Sequence, residues 1–330
     1  MGQQPPFARQ QSLRSALREG IAQLESARVP SASLAAELLL MHALGRDRTW
    51  LYSHPEEELA AAARDTYFSL VAQRASGLPT QHLTGHQEFW GLDFEVTRDV
   101  LIPRPETEHV IEVALQRLEL DSGGAASRDA ELRIADVGTG SGCIAIALAS
   151  ELPNAHFVAT DISAAALEVA RRNAARHGVA ARIEFVECHL LDAHLPESQV
   201  TQLSNPGQSN QPSRSLGAGE SRLFHAVVSN PPYISRKEAA TLAREVREHE
   251  PETALFGGET GTEMYAPLIT QAAAVLMPGG ILVLELGYNS AEEVSRLLQA
   301  REWSEVSISG DFAGIKRVAS ARRTALTGEQ

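Results

Sequence analysis

Apolar side chains in the first eighty residues recur at helical spacing, and those after residue 130 fall in short continuous runs. Leu13, Leu17, Ile21 and Leu24 return every third or fourth position, which marks one buried helical face. A second helix is predicted to start after Ser31 or Ser33, to run through Leu34, Leu38 and Met41, and to stop at Gly45. A third is predicted from about Glu56 to Ala75, ended by Gly77. No strand pattern precedes residue 84, so residues 1–83 read as a small helical-bundle domain behind a disordered leader at 1–11.

The texture changes at Gly85. HQEFWGLDFEV holds two short aromatic-rich runs split by Gly91-Leu92-Asp93, the pattern of a β-hairpin, and a linker at 84–105 is predicted around it. Pro103 and Pro105 then stiffen the entry to a helix from about Thr107 to Leu118. From residue 132 strands and helices alternate. RIADV is a strand, SGCIAIALASEL a helix, HFVATD a strand, SAAALEVARRNAARHG a helix, and IEFVE and HAVVSN are strands. A helix from about Thr262 to Leu276 follows, Pro278-Gly279-Gly280 turns the chain, and ILVLELG is a strand. This rhythm predicts an α/β fold, a doubly wound and mostly parallel sheet covered on both faces, over residues 106–330. EVSISG and IKRVAS are expected to close it as an antiparallel pair. Residues 197–222, rich in Ser, Gln, Gly and Pro, break the pattern. They hold too few apolar side chains to offset the entropy of ordering and are expected to form a flexible insertion.

A chain of 330 residues, 43 % of them hydrophobic, can build a sizeable core and is long for one domain. Its net charge of -13 opposes binding to nucleic-acid phosphates and favours protein or small-molecule partners. Two cysteines, Cys143 and Cys188, supply neither a disulfide framework nor a zinc-type cluster, so no metal site is expected. No run approaches the ~18 apolar residues of a membrane span, and a cytoplasmic location without membrane contact is expected.

Three constellations carry chemistry. Asp136-Val137-Gly138-Thr139-Gly140-Ser141-Gly142 lies between a strand and a helix. Its glycines permit a tight turn and close approach of a ligand, and the helix start offers free N–H groups. The spacing GxGxG, with no following Lys-Ser or Lys-Thr, fits neither the dinucleotide nor the P-loop fingerprint. Asp161 closes the next strand, where a carboxylate can accept from both hydroxyls of a ribose or can cap the following helix, a role Ser163 could also fill. Asn230-Pro231-Pro232-Tyr233 leaves the strand HAVVS rigidly. The Asn230 side-chain oxygen and the Pro231 carbonyl can each accept one N–H of a planar NH2 group, and Tyr233 offers a flat face for stacking.

In this order GTGSG, Asp161 and NPPY resemble class I, Rossmann-like S-adenosylmethionine-dependent methyltransferases that modify nitrogen. IPRPETE, from Ile102 to Glu108, the hairpin EFWGLDF, and EPETALFGGETGTEMY resemble the peptide chain release factor glutamine N5-methyltransferases over nearly the whole chain from about Leu34. Ribosomal-protein glutamine methyltransferases share NPPY but carry PRSP where Pro103-Arg104-Pro105-Glu106 stands. The resemblance implies S-adenosylmethionine over Gly138, Thr139, Gly140, Ser141 and Gly142, with its ribose at Asp161 and further contacts to Leu190 and Asn230. It implies catalysis by Asn230, Pro231 and Tyr233, with the substrate amide held by Asn230, Pro231, Pro232 and Tyr233. The substrate implied is the glutamine of the Gly-Gly-Gln loop of class I release factors, contacted also by the N-terminal helical domain. His189 and Leu190 stand where the family often has an acid and an aromatic beside the adenine. Glu106 and Glu108 either shape the pocket or serve a helix N-terminus, Glu285 is open between the same kinds of role, and His225 reads as structural.

Other activities compete. An adenine N6 methyltransferase would use the same acceptor logic, but it needs a basic cleft, and 29 basic residues stand here against 42 acidic ones. A dinucleotide oxidoreductase conflicts with the glycine spacing, and a non-catalytic binding protein would have no need of NPPY beside an intact cofactor turn.

Overall fold

Where apolar spacing predicts the first helix, α1 (Leu13–Ser26) forms in the computed structural model, which describes residues 11–121, 130–195, 223–311 and 313–324. The expected leader, Gln11 apart, and the insertion at 197–222 lie outside the described residues. Ser12 caps α1, accepting from the Ser15 N–H at 3.3 Å. The chain divides into two units, one formed by the residues up to His86 with Ala243–His249, the other by Gln87–Leu242 with Glu250–Gln330.

In the first unit α1 is followed by α2 (Ala32–Leu44), α3 (Arg48–Ser53), α4 (Ala61–Ala75) and α5 (Thr80–Thr84). Leu13, Leu24, Leu39, Leu40, Tyr67 and Val71 form its core. α4 starts five residues later than the spacing predicts. The reason is that residues 55–59 use their main-chain groups on the strip before α1: Leu13 N–H donates to Glu57 O at 2.9 Å, and Leu59 N–H to Gln11 O at 2.8 Å. The short helix Arg244–His249, far along the sequence, joins this unit through an ion pair between Arg74 and Glu245.

Gly20 lets α1 sit on Tyr67, because a Cβ there would land on the buried phenol. Exposed helical Gly→Ala changes gain up to ~1 kcal/mol, yet overpacking a core costs about 1–3 kcal/mol. Gly20→Ala is therefore expected to lower stability in urea unfolding of the full chain. An unchanged or raised midpoint would contradict this packing.

The second unit opens with a hairpin, β1 (His86–Phe89) and β2 (Leu92–Glu95). Its turn is Trp90-Gly91, both with positive φ (55° and 69°), so Leu92 and Asp93, expected in the turn, belong to the strand. Trp90 is held there by Glu108, which accepts its N–H at 2.8 Å, and by Glu151, which accepts its indole N–H at 2.9 Å. α6 (Glu108–Asp121), β3 (Arg133–Val137), α7 (Cys143–Glu151), β4 (His156–Asp161), α8 (Ala164–Arg176), β5 (Ile183–Glu187) and β6 (Phe224–Ser229) follow the expected order. β7 (Ile234–Ser235) and β8 (Phe256–Gly258) form a small parallel pair absent from the sequence reading. The helix Tyr265–Val275 begins three residues later than expected, and β9 (Leu276–Glu285) absorbs Pro278-Gly279-Gly280 as an irregularity in its pairing with β6. β10 (Trp303–Gly310) and β11 (Lys316–Arg323) close the sheet as an antiparallel pair, as expected.

The seven strands lie in the order β10-β11-β9-β6-β3-β4-β5, with β9, β6, β3, β4 and β5 parallel. Side chains of one face, including Ile134, Phe157, Ala226 and Val228, pack with α6, α7 and the hairpin. Ala135, Val158, Val227 and Leu282 turn to the other face and meet the helices Tyr265–Val275 and Ala291–Leu297. The chain winds outward from β3 in one direction and from β6 in the other, so the crevice at the carboxyl ends of β3 and β6 is the topological switch point.

Candidate active site

At that switch point a cleft of about 1010 Å³, part of it open to solvent, is lined from three strand tips. β3 contributes Val137, Gly138, Thr139, Gly140 and Ser141; β4 contributes Asp161, Ile162 and Ser163; β6 contributes Ser229, Asn230, Pro231 and Pro232. Sequence-remote residues complete it, among them Asp99, Arg104, Thr107, His189, Leu190 and Met264. Gly142 is not part of the lining. Its φ of +83° starts α7, and a Cβ there would press on Ile146 and Ala170.

Gly138 and Gly140 also have positive φ (72° and 55°), and a Cβ on either would meet no protein atom. The turn therefore presents bare backbone to the cleft, a cradle that side chains would fill. Asp136 anchors it from below. Its Oδ2 accepts from the Thr139 hydroxyl at 2.7 Å and from Ala145 N–H at 3.1 Å, while Oδ1 is buried with no partner. Burial pushes this carboxyl up to about 6, against the pull of Thr139 and the Ala145 N–H.

Asp161 joins the β3 and β4 tips. Its Oδ2 accepts from Gly140 N–H and its Oδ1 from Ser163 N–H, both at 2.9 Å. The cap of α8 is Ser163, which accepts from Ala166 N–H at 3.1 Å. Burial raises the Asp161 carboxyl, and the Ser163 and Gly140 N–H groups oppose the rise. Two oxygens with one bond each leave lone pairs for two more donors, as the hydroxyls of a ribose would require. Beyond β5, Leu190 has a left-handed backbone (φ 48°) pinned by the Thr160 hydroxyl, which donates to Leu190 O at 2.8 Å. The adjoining His189 also lines the cleft.

The NPPY turn is held as rigidly. Ser229 donates its hydroxyl to Val137 O at 2.7 Å, tying the β6 tip to β3, and Asn230 Nδ2 donates to Thr107 Oγ1 at 3.1 Å. A Cβ on Gly257 would strike the Pro232 carbonyl, and one on Gly261 the Tyr233 carbonyl. The GGETG run therefore serves as a closely packed backing for the NPPY backbone. Tyr233 does not line the cleft. Its ring packs beside Gly287, and its hydroxyl donates to Glu285 Oε1 at 3.1 Å. Arg104, at the cleft, pairs with buried Glu250 at 2.5 Å, and Glu250 also accepts from Ile102 N–H at 3.2 Å. Neither Glu106 nor Glu108 lines the cleft, and His225 accepts from Arg133 N–H at the opposite end of β6. Sequence reasoning passed over Thr107 and Glu250. Thr107 stands inside the quoted IPRPETE run, which was the available signal.

The cleft suits an adenosine ligand: bare backbone at the glycine turn and a strand-tip carboxylate with spare lone pairs. Such a cleft at this switch point, in this strand order, with the NPPY turn one strand away, is the arrangement of a class I S-adenosylmethionine-dependent methyltransferase. Family models agree: a PrmC N-terminal domain matches residues 15–85 and a methyltransferase domain residues 128–205. A protein of Koribacter versatilis (strain Ellin345) named release factor glutamine methyltransferase is 40 % identical over 312 residues, 94 % of this chain and 99 % of that one. One of the same name from Nitratidesulfovibrio vulgaris is 39 % identical over 317 residues, 96 % of each chain. A solved structure titled protein-(glutamine-N5) methyltransferase (release factor-specific), from Alicyclobacillus acidocaldarius, aligns at 28 % identity over 70 % of this chain and 100 % of that one, with a TM-score of 0.39. The chain belongs to the release factor glutamine methyltransferase family.

Asp161→Ala removes the acceptor joining the two strand tips. A hydrogen bond to a charged group is worth about 1.5–3 kcal/mol, and calorimetry should find S-adenosylmethionine bound more weakly by that amount. Unchanged affinity in a folded variant would remove Asp161 from the cofactor site.

Proposed function

We propose that the chain methylates the side-chain amide nitrogen of the glutamine in the Gly-Gly-Gln motif of class I peptide chain release factors. The observation that carries this reading is the near-complete alignment with release factor glutamine methyltransferases, joined to an Asn230-Pro231-Pro232 wall at the switch-point cleft. S-adenosylmethionine supplies an electrophilic methyl group on a sulfonium. The protein's part begins with the acceptor. An amide nitrogen is a weak nucleophile because its lone pair is delocalised into the carbonyl. Asn230 Oδ1 and the Pro231 carbonyl would accept its two N–H groups, fix its plane, and draw electron density onto nitrogen. The same acceptors stabilise the positive charge that grows there as the N–C bond forms. The surplus proton then leaves to water, and no dedicated base is required. Acidic side chains at the cleft, Asp99 and Asp161, suit a cationic cofactor.

The N-terminal helical unit is assigned to recognition of the release factor, since no cleft-lining residue belongs to it and the PrmC N-terminal model covers it. Nucleic acid is not expected as a substrate, given the acidic balance, and among the described residues no helix is long and apolar enough to cross a membrane. Mass spectrometry of a purified release factor, incubated with the chain and labelled S-adenosylmethionine, is expected to find one methyl on the Gly-Gly-Gln glutamine. Transfer to DNA, RNA or a ribosomal protein in place of the release factor would overturn the reading.

A further inference from the structure

Among the described residues that line the cleft, Arg104 is the one lysine or arginine, while Asp99 and Asp161 are acidic. Its place is fixed by backbone and side chain together. Pro103 and Pro105 flank it, and its backbone is extended, with φ -99° and ψ 139°. Its Nη2 donates to Glu250 Oε1 at 2.5 Å, and Glu250 Oε2 accepts from Ile102 N–H at 3.2 Å. One carboxylate thus ties the guanidinium to the main chain of its own loop. The Glu250 side chain is 1 % exposed and does not line the cleft, whereas that of Arg104 is 31 % exposed.

Glu250 engages one nitrogen of the guanidinium. Among the described residues Nε and Nη1 of Arg104 have no hydrogen bond, so donors remain for the cleft. Burying a carboxylate behind an arginine costs stability that an apolar side chain would not. What the pair provides is a guanidinium fixed along one edge. S-adenosylmethionine carries a sulfonium, an ammonium and a single anionic group, the carboxylate of its methionine arm. Asp99 and Asp161 favour the cations and oppose that anion. A carboxylate taken out of water needs a positive partner with matched donors, and arginine meets it with a planar fork. We infer that Arg104 is the receptor for the methionine carboxylate of the cofactor, with Glu250 as its positioning residue. Glu250 is buried and Arg104 stands at the cleft wall, so an entering carboxylate meets the positive end of the pair.

The receptor reads the arm of the cofactor, not its adenosine or its methyl group. A ligand with the same nucleoside and sulfonium but no carboxylate, decarboxylated S-adenosylmethionine, leaves Arg104 without its partner. The wild-type chain is therefore expected to bind the decarboxylated form more weakly, by on the order of 10–100-fold. The competing holder of the carboxylate is the start of α7, where main-chain N–H groups follow the glycine turn. The inference does not depend on which amide is methylated.

The test is calorimetry on the full chain with S-adenosylmethionine and its decarboxylated form as the two ligands. Arg104→Met is expected to weaken S-adenosylmethionine on the order of 10–100-fold, to leave the decarboxylated form unchanged, and so to abolish the preference between them. Arg104→Lys, which keeps the charge without the fork, should retain part of that preference. Arg104→Met alone strands the buried Glu250 charge, so Arg104→Met combined with Glu250→Gln is measured beside it, and thermal unfolding verifies that each variant is folded. Glu250→Gln by itself should lower the preference less than loss of the guanidinium does. A wild-type chain that binds both ligands equally would overturn the inference without any variant. An equal loss of both ligands in the folded variants would also overturn it, since Arg104 would then only shape the cleft. Unchanged S-adenosylmethionine affinity in those variants would assign the carboxylate to the start of α7 instead. No release factor enters these measurements, so the proposed function stands or falls separately.

Discussion

Asn230→Ala is expected to reduce turnover on the release factor by on the order of 10²-fold or more, while S-adenosylmethionine binds with affinity closer to wild type. The side chain is held at the β6 tip by its bond to Thr107, and the β6 tip is itself held by Ser229 on Val137 O. Alanine keeps that backbone and deletes only the acceptor. Two losses combine: the substrate amide is no longer oriented, and charge developing on its nitrogen meets one oxygen fewer. Asn230→Asp is an informative companion. It keeps an acceptor but cannot donate to Thr107, so it should fall between alanine and wild type. Near-normal turnover of the alanine variant at saturating substrate would remove Asn230 from the chemistry.

A second large effect is expected on the substrate side. A short peptide bearing Gly-Gly-Gln should be methylated with kcat/KM lower than the intact release factor by on the order of 10²-fold, equivalent to about 2.8 kcal/mol. On the proposed reading the reacting group is a glutamine amide, and an amide alone does not tell one glutamine from another. Discrimination must come from contacts away from the reacting group, and their binding energy also helps to place it. The helical unit is the portion of the described chain with no part in the cleft and a core of its own. Equal kcat/KM for peptide and protein would show that remote contacts contribute nothing, and the recognition role would fall.

The doubly wound sheet was readable because each strand of RIADV, HFVATD and HAVVS is a short apolar run bounded by a turn signal. Such runs admit few arrangements once helices alternate with them. The three strand-tip motifs were readable for the same reason: Gly138, Asp161 and Asn230 each directly follow or end a strand, and parallel strands bring their tips together. What failed was local competition. The stretch from Glu56 has helix-compatible residues, yet its peptide groups bond to the strip before α1, and no spacing rule registers that. The hairpin turn moved to Trp90-Gly91 because Glu108 and Glu151, distant in sequence, hold the Trp90 main chain and indole. The supports of the acceptor were invisible for a related reason. Thr107, Glu285 and Gly257 meet Asn230, Tyr233 and Pro232 only after three separate segments converge. Periodicity describes an element's own face and is silent about which hydroxyl will reach which carboxylate.

The membership of Arg244–His249 in the helical unit bears on how the chain is made. During synthesis the first eighty-six residues leave the ribosome long before that helix exists, so Arg74 has no Glu245 to meet until residue 245 has emerged. By then β3, β4, β5, β6 and the NPPY turn are already outside the exit tunnel. The helical unit therefore completes itself only after most of the catalytic sheet is available to fold, and its maturation is a late event in biogenesis. A chain shortened to begin at Gln87 would carry an orphaned helix, and a chain stopped after His86 would lack one. A cut after residue 86 is therefore expected to leave each unit incomplete.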